Sequence, residues 1–229
     1  MEYIKDIINL FLIVFVLASV GMSLYPPKQK LNFAISIWRN FRIKMLFEVI
    51  LLVLLTLTIF MFLYKYIPIS RWGWLNLFVS GGGNVMIAPI LSERNSSNLF
   101  FRLLVPIFFF IFILAIPSLA NAEEYIFRRG YTEWRDILEQ SVKFGFIHLI
   151  VGIPLSAAIA LIGVGFFCGY KYRKTFFDHY NCIQFSRYQY RYNYIFEIEE
   201  KAMTVSTMYH TLYNSILIGA LLIVSSLYI

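Results

Sequence analysis

Leu103-Leu104-Val105-Pro106-Ile107-Phe108-Phe109-Phe110-Ile111-Phe112-Ile113-Leu114-Ala115-Ile116-Pro117-Ser118-Leu119-Ala120 carries no charge and runs straight into Asn121-Ala122-Glu123-Glu124-Tyr125-Ile126-Phe127-Arg128-Arg129-Gly130. The first part approaches the roughly 20 apolar residues that a bilayer-spanning helix needs. The second places two adjacent carboxylates at its end. An ionised side chain well inside a bilayer costs about 2.5–3.5 kcal/mol at a helix centre, and adjacent like charges also repel. Such a pair needs a reason. The reading that follows is a membrane protein built to present it inside a membrane-embedded cavity.

The composition agrees. The chain has 229 residues, 59% hydrophobic, 19% aromatic and only 14% charged, against about 25% charged in soluble domains. The expected fold is all-α, a polytopic transmembrane bundle of about six to eight membrane helices, some short or re-entrant. No polar stretch is long enough for a separate soluble domain, so residues 1–229 read as one integral membrane domain. The net charge of +7 sits in short loops between apolar runs, which marks topology and contact with anionic lipid rather than nucleic acid. Cys168 and Cys182 make neither a disulfide framework nor a metal-type spacing.

From the N-terminus, Ile7 to Tyr25 reads as a first spanning helix, since Glu2, Lys5 and Asp6 do not suit a cleaved signal peptide. It stops at Pro26-Pro27. Lys28 to Lys44 contains Lys28, Lys30, Arg39, Arg42 and Lys44 and no acid, so it is expected on the cytoplasmic surface. Met45 to Tyr64 reads as a second span. Leu75 to Leu91, interrupted by Gly81-Gly82-Gly83-Asn84, reads as a short or re-entrant segment. A span from Phe100 to Asn121 delivers Glu123 and Glu124, and Glu123 to Lys143 is expected as an amphipathic surface helix. Phe144 to Tyr170 is either one kinked span or two helices joined at Gly152-Ile153-Pro154. Lys171 to Lys201 interleaves six basic residues with ten aromatics. Beside membrane spans that is an interfacial belt, expected to be cytoplasmic, more readily than an RNA-binding surface. Met203 to Ile229 closes the chain as a last helix.

Three short patterns fall on these helices. In Glu123-Glu124-x-x-x-Arg128, Glu124 and Arg128 lie four apart on one face and can pair. Glu123 is about 100° round the helix and free to face something else. In Phe144-x-x-x-His148 the ring can wall the imidazole. In His210-x-x-x-Asn214 an imidazole and an amide share a face. Each alone is weak, because glutamates at a helix end are usually solvated and a lone histidine is usually a satisfied core residue. Two of three histidines and a carboxylate pair on apolar segments are another matter, since intramembrane ionisable residues are functional candidates by default.

Glu-Glu-x-x-x-Arg, Phe-x-x-x-His and His-x-x-x-Asn, in that order, resemble the signature of the CPBP intramembrane proteases. That family comprises CAAX prenyl endopeptidases and bacteriocin-processing or self-immunity proteins. All three motifs are present here without substitution, and the resemblance covers roughly Phe100 to Ile229. It implies a membrane-associated protein or peptide as substrate, with Glu123 as the general base that activates water and His148 holding that water. His210 and Asn214 would donate hydrogen bonds to the oxyanion, with Glu124, Arg128 and Phe144 in support. The chemistry fits: hydrolysis needs a positioned base and donors where negative charge develops. No cofactor is required. Zinc is the alternative, since Glu123, His148 and His210 are ligand types for it. A non-catalytic scaffold or immunity partner of the same fold is the second reading. A transporter is a third, weakened by the lack of an internal repeat.

Overall fold

Stretches that are apolar on every face have no water-facing side and must be covered by protein or lipid, and such stretches set the architecture of this chain. In the computed structural model the described residues are 14, 18–74, 99–183 and 191–227. They are all-helical. Residues 18–23 end one helix. Then come α1 (Pro27–Arg39), α2 (Ile43–Tyr66), a 3-10 turn (Pro68–Arg71), α3 (Leu99–Phe127) and α4 (Trp134–Ile147). A second 3-10 turn (His148–Val151) leads to α5 (Leu155–Ile183) and α6 (Arg191–Leu227). Among the described residues three helical segments are long and apolar enough to cross a membrane: Ile43–Tyr66, Phe110–Phe127 and Leu155–Asn181. The expected re-entrant segment Leu75–Leu91 and most of the first span lie outside the described residues.

α2 illustrates the logic. Its 24 residues reach about 36 Å at 1.5 Å per residue, enough for a hydrocarbon core of about 30 Å. Met45, Val49, Leu52, Val53 and Thr56 are buried at helical spacing. Phe47, Leu51, Leu54, Leu55, Met61 and Phe62 are apolar yet face outward, as lipid contact requires. The helix stops at Ile67, before Pro68, where the ring of a proline disfavours helical backbone in the residue preceding it.

Two expectations change. Glu123 to Lys143 is not one surface helix. α3 continues through both glutamates to Phe127, because nothing between Asn121 and Phe127 breaks a helix. The chain turns at Gly130, whose φ of 79° is the left-handed backbone that glycine adopts without strain, and α4 starts afresh at Trp134. Of the two alternatives left open for Phe144 to Tyr170, the structure has the second: two helices, α4 and α5, separated by the His148–Val151 turn and Gly152 at φ 84°. The last helix also begins earlier than expected, at Arg191.

α4 and α5 pack antiparallel at close range. A Cβ at Gly145 would lie 2.5 Å from the Ala158 carbonyl oxygen and 2.6 Å from Ile162. Gly145→Ala therefore forces α4 off α5 just before His148. The expected result is a loss of about 1–3 kcal/mol, read as a lower unfolding midpoint in detergent, with the open position Gly163 (nothing within 4 Å of its Cβ) as the tolerant control.

Side-chain bonds fix the relative direction of the helices. Glu48, near the start of α2, accepts from Lys171 Nζ at 2.6 Å and from the Tyr209 hydroxyl at 2.5 Å. At the far end of α2 the Leu155 N–H, at the start of α5, donates to the Trp72 carbonyl at 2.9 Å. α2 and α5 are thus antiparallel, and Lys171 returns to the end of the bundle where α1 meets α2. Lys44, at the start of α2, and Lys171 accordingly lie at the same end of the bundle.

Candidate active site

Glu123 and Glu124 occupy the last turns of α3, and their 100° separation divides their surroundings. Glu124 is fully buried. Its Oε2 lies 3.3 Å from Arg128 Nε, close enough for an ion pair but not aligned for a hydrogen bond. The same oxygen accepts from the Ser206 hydroxyl, and Oε1 lies 2.9 Å from His210 Nδ1. Arg128 is equally buried. Its Nη1 donates to the Phe127 carbonyl at 3.1 Å, and its guanidinium lies over the Phe144 ring at 5.1 Å. An α3 carboxylate, the arginine just beyond α3, and an α6 serine and histidine form one desolvated network.

Glu123 faces the other way. Its side chain is 36% exposed, yet Oε2 itself is buried and has no hydrogen-bond partner among the described residues. Two imidazole nitrogens are close to it: His210 Nε2 at 3.6 Å and His148 Nε2 at 3.9 Å. Both separations exceed a direct hydrogen bond.

The tautomers follow from what each Nδ1 touches. His148 Nδ1 is 2.7 Å from the Phe144 carbonyl oxygen, which can only accept, so Nδ1 carries the proton. His210 Nδ1 faces the Glu124 carboxylate that Arg128 pairs with, so it donates there as well. In the neutral ring the second nitrogen of each then presents a lone pair. The Phe144 ring lies edge-on to both imidazoles, 4.8 Å from His148 and 5.4 Å from His210, and Phe127 backs it at 5.5 Å.

The structure thus brings Glu123, Glu124, Arg128, Phe144, His148 and His210 together. Asn214, one turn beyond His210 on α6, is half-buried. His148 does not sit on a regular helix; it opens the 3-10 turn after α4. That turn is held from a distance: Trp74 Nε1 donates to the Leu149 carbonyl at 2.7 Å, and Gly73 fits against the backbone of Gly152–Pro154.

Ser206 is the residue that sequence reasoning missed. It is fully buried, also lies 3.0 Å from the Cys168 carbonyl, and sits one turn before His210. Its four-residue offset from that histidine was the only available signal. Thr207 Oγ1 donates to Asn121 Oδ1 at 3.2 Å, a further tie between α6 and α3. Among the described residues no group of three or more His, Cys, Asp or Glu side chains is arranged to hold a metal ion.

No family model, curated protein or solved structure matches the chain.

Proposed function

We propose that this chain is an intramembrane endopeptidase of the type its three motifs resemble, hydrolysing a peptide bond of a membrane-associated protein or peptide. One observation carries the reading. A buried carboxylate oxygen with no hydrogen-bond partner among the described residues and two imidazole lone pairs converge, and three acceptors that face one another repel unless protons lie between them. A water has two to give. Donating to Glu123 and to one imidazole, it turns its oxygen outward as a nucleophile, while Glu123 takes a proton as the O–C bond forms; when the tetrahedral intermediate collapses the C–N bond breaks and Glu123 returns that proton to the leaving amine. His148 then holds the water. In this reading Asn214 donates to the carbonyl oxygen as it gains charge. His210 serves the same oxygen only when Nε2 bears a proton, since Nδ1 is committed to Glu124.

Glu124, Arg128 and Ser206 act as positioning residues for the His210 ring, and Phe144 walls both imidazoles. A divalent metal held by Glu123, His148 and His210 is the competing reading, although the described residues show no group of three such side chains arranged for one. In the reading proposed here the mechanism is metal-free, and cleavage persists after chelation. Loss on chelation with recovery on adding zinc would transfer those three residues to ligand roles.

The decisive experiment compares newly formed protein termini in membranes from cells carrying the parent chain or Glu123→Gln. Termini present only with the parent identify substrates. Identical termini in both would leave the protease reading without support and favour a scaffold of the same fold.

A further inference from the structure

We propose that the outward face of α1, continued by the first residues of α2, is a binding surface for the headgroups of anionic phospholipids. α1 is two-sided. Ala34 and Ile37 are fully buried, and Phe33 and Phe41 pack beside Ile37 on the core cluster that includes Phe127 and Phe144. The opposite face, at spacings of three and four, carries Lys28, Leu31, Ile35 and Arg39, with Arg42 and Lys44 following, all exposed. Leu31 and Ile35 are 42% and 52% exposed, between basic residues at either end of the helix.

The charges are what name the ligand. Pro27 to Phe47 contains no acidic residue. None of Lys28, Arg39, Arg42 or Lys44 is within ion-pair distance of a described carboxylate. Three cations elsewhere are matched by carboxylates: Lys171 by Glu48, Arg129 by Glu199 and Lys143 by Glu139. α1 also immediately precedes the membrane-crossing α2, which puts it at the bilayer boundary. A helix lying there with apolar residues between basic ends seats the apolar side chains at the acyl boundary and the bases at headgroup phosphates. Basic clusters beside a spanning helix gather anionic lipid in this way.

The test uses the full-length purified chain released from nanodiscs of equal phosphatidylglycerol and phosphatidylcholine, with retained lipids counted by native mass spectrometry. The parent is expected to retain phosphatidylglycerol at least about fivefold over phosphatidylcholine, less so when reconstituted at high salt. Lys28→Gln, Arg39→Gln, Arg42→Gln and Lys44→Gln combined should abolish that preference. Arg39→Gln and Arg42→Gln singly should each lower it, which keeps the test decisive if the combined variant does not fold. Lys65→Gln, at the other end of α2, should leave it intact. A parent without preference, or a folded combined variant that keeps the parent's ratio, overturns the proposal. Neither result depends on whether the chain is a protease.

Discussion

Glu123→Gln is expected to lower cleavage by about 10²–10⁴-fold, the range that a positioned general base contributes, while leaving the protein folded in the membrane. The geometry explains both halves. Glutamine keeps the size of the side chain but cannot take a proton from water. Glu123 Oε2 makes no hydrogen bond to another described residue, so its replacement breaks no hydrogen bond at that oxygen. The comparison is made with purified protein on a substrate identified from the mapped termini, alongside unfolding midpoints of both forms. Equal cleavage by the two would remove Glu123 from the chemistry.

The neighbouring carboxylate should behave in the opposite way. Glu124→Ala is expected to cost about 3–5 kcal/mol, as when one member of a buried ion pair is removed. It strands Arg128, which is only 1% exposed, and takes an acceptor from both Ser206 and His210. The charge is the larger part of the cost. Combining Glu124→Leu with Arg128→Leu should therefore recover stability relative to either single change, because no unpaired charge remains. Thermal unfolding of the single and double variants in one detergent measures this. Singles close to the parent would mean that the pair is not buried as described.

These contrasting outcomes arise from adjacent residues, and the four-residue spacing of Glu124 from Arg128 already pointed to a division between them. Other parts were legible for similar local reasons. The helical class follows from apolar runs too long and too evenly apolar for a soluble chain. His148 beneath Phe144 follows from their offset of four. What could not be read depends on distant contacts. Two charges at the end of an apolar run look the same whether the helix stops at Asn121 or continues to Phe127. The deciding partners, Ser206 and His210, lie more than 80 residues away. A serine inside a helix carries little mark of its role, and the offset of Ser206 from His210 alone did not single it out. The bond from Glu48 to Lys171 and Tyr209 was equally hidden, since the local pattern offers only Lys44, four residues before it, and nothing points to partners more than 120 residues away. The turn at His148 was ambiguous because Gly152-Ile153-Pro154 is compatible with a kink or a full break.

The hold of Trp74 on Leu149 bears on how small a working fragment of this chain can be. All three motifs fall after Phe100, which invites trimming to that half. Yet the turn that aims His148 is fastened by Gly73 and Trp74, and the helix bearing His210 is tied through Tyr209 to Glu48. A fragment starting at Phe100 would keep every motif residue and lose the parts that aim two of them. The motif-free half is the jig in which the site is assembled.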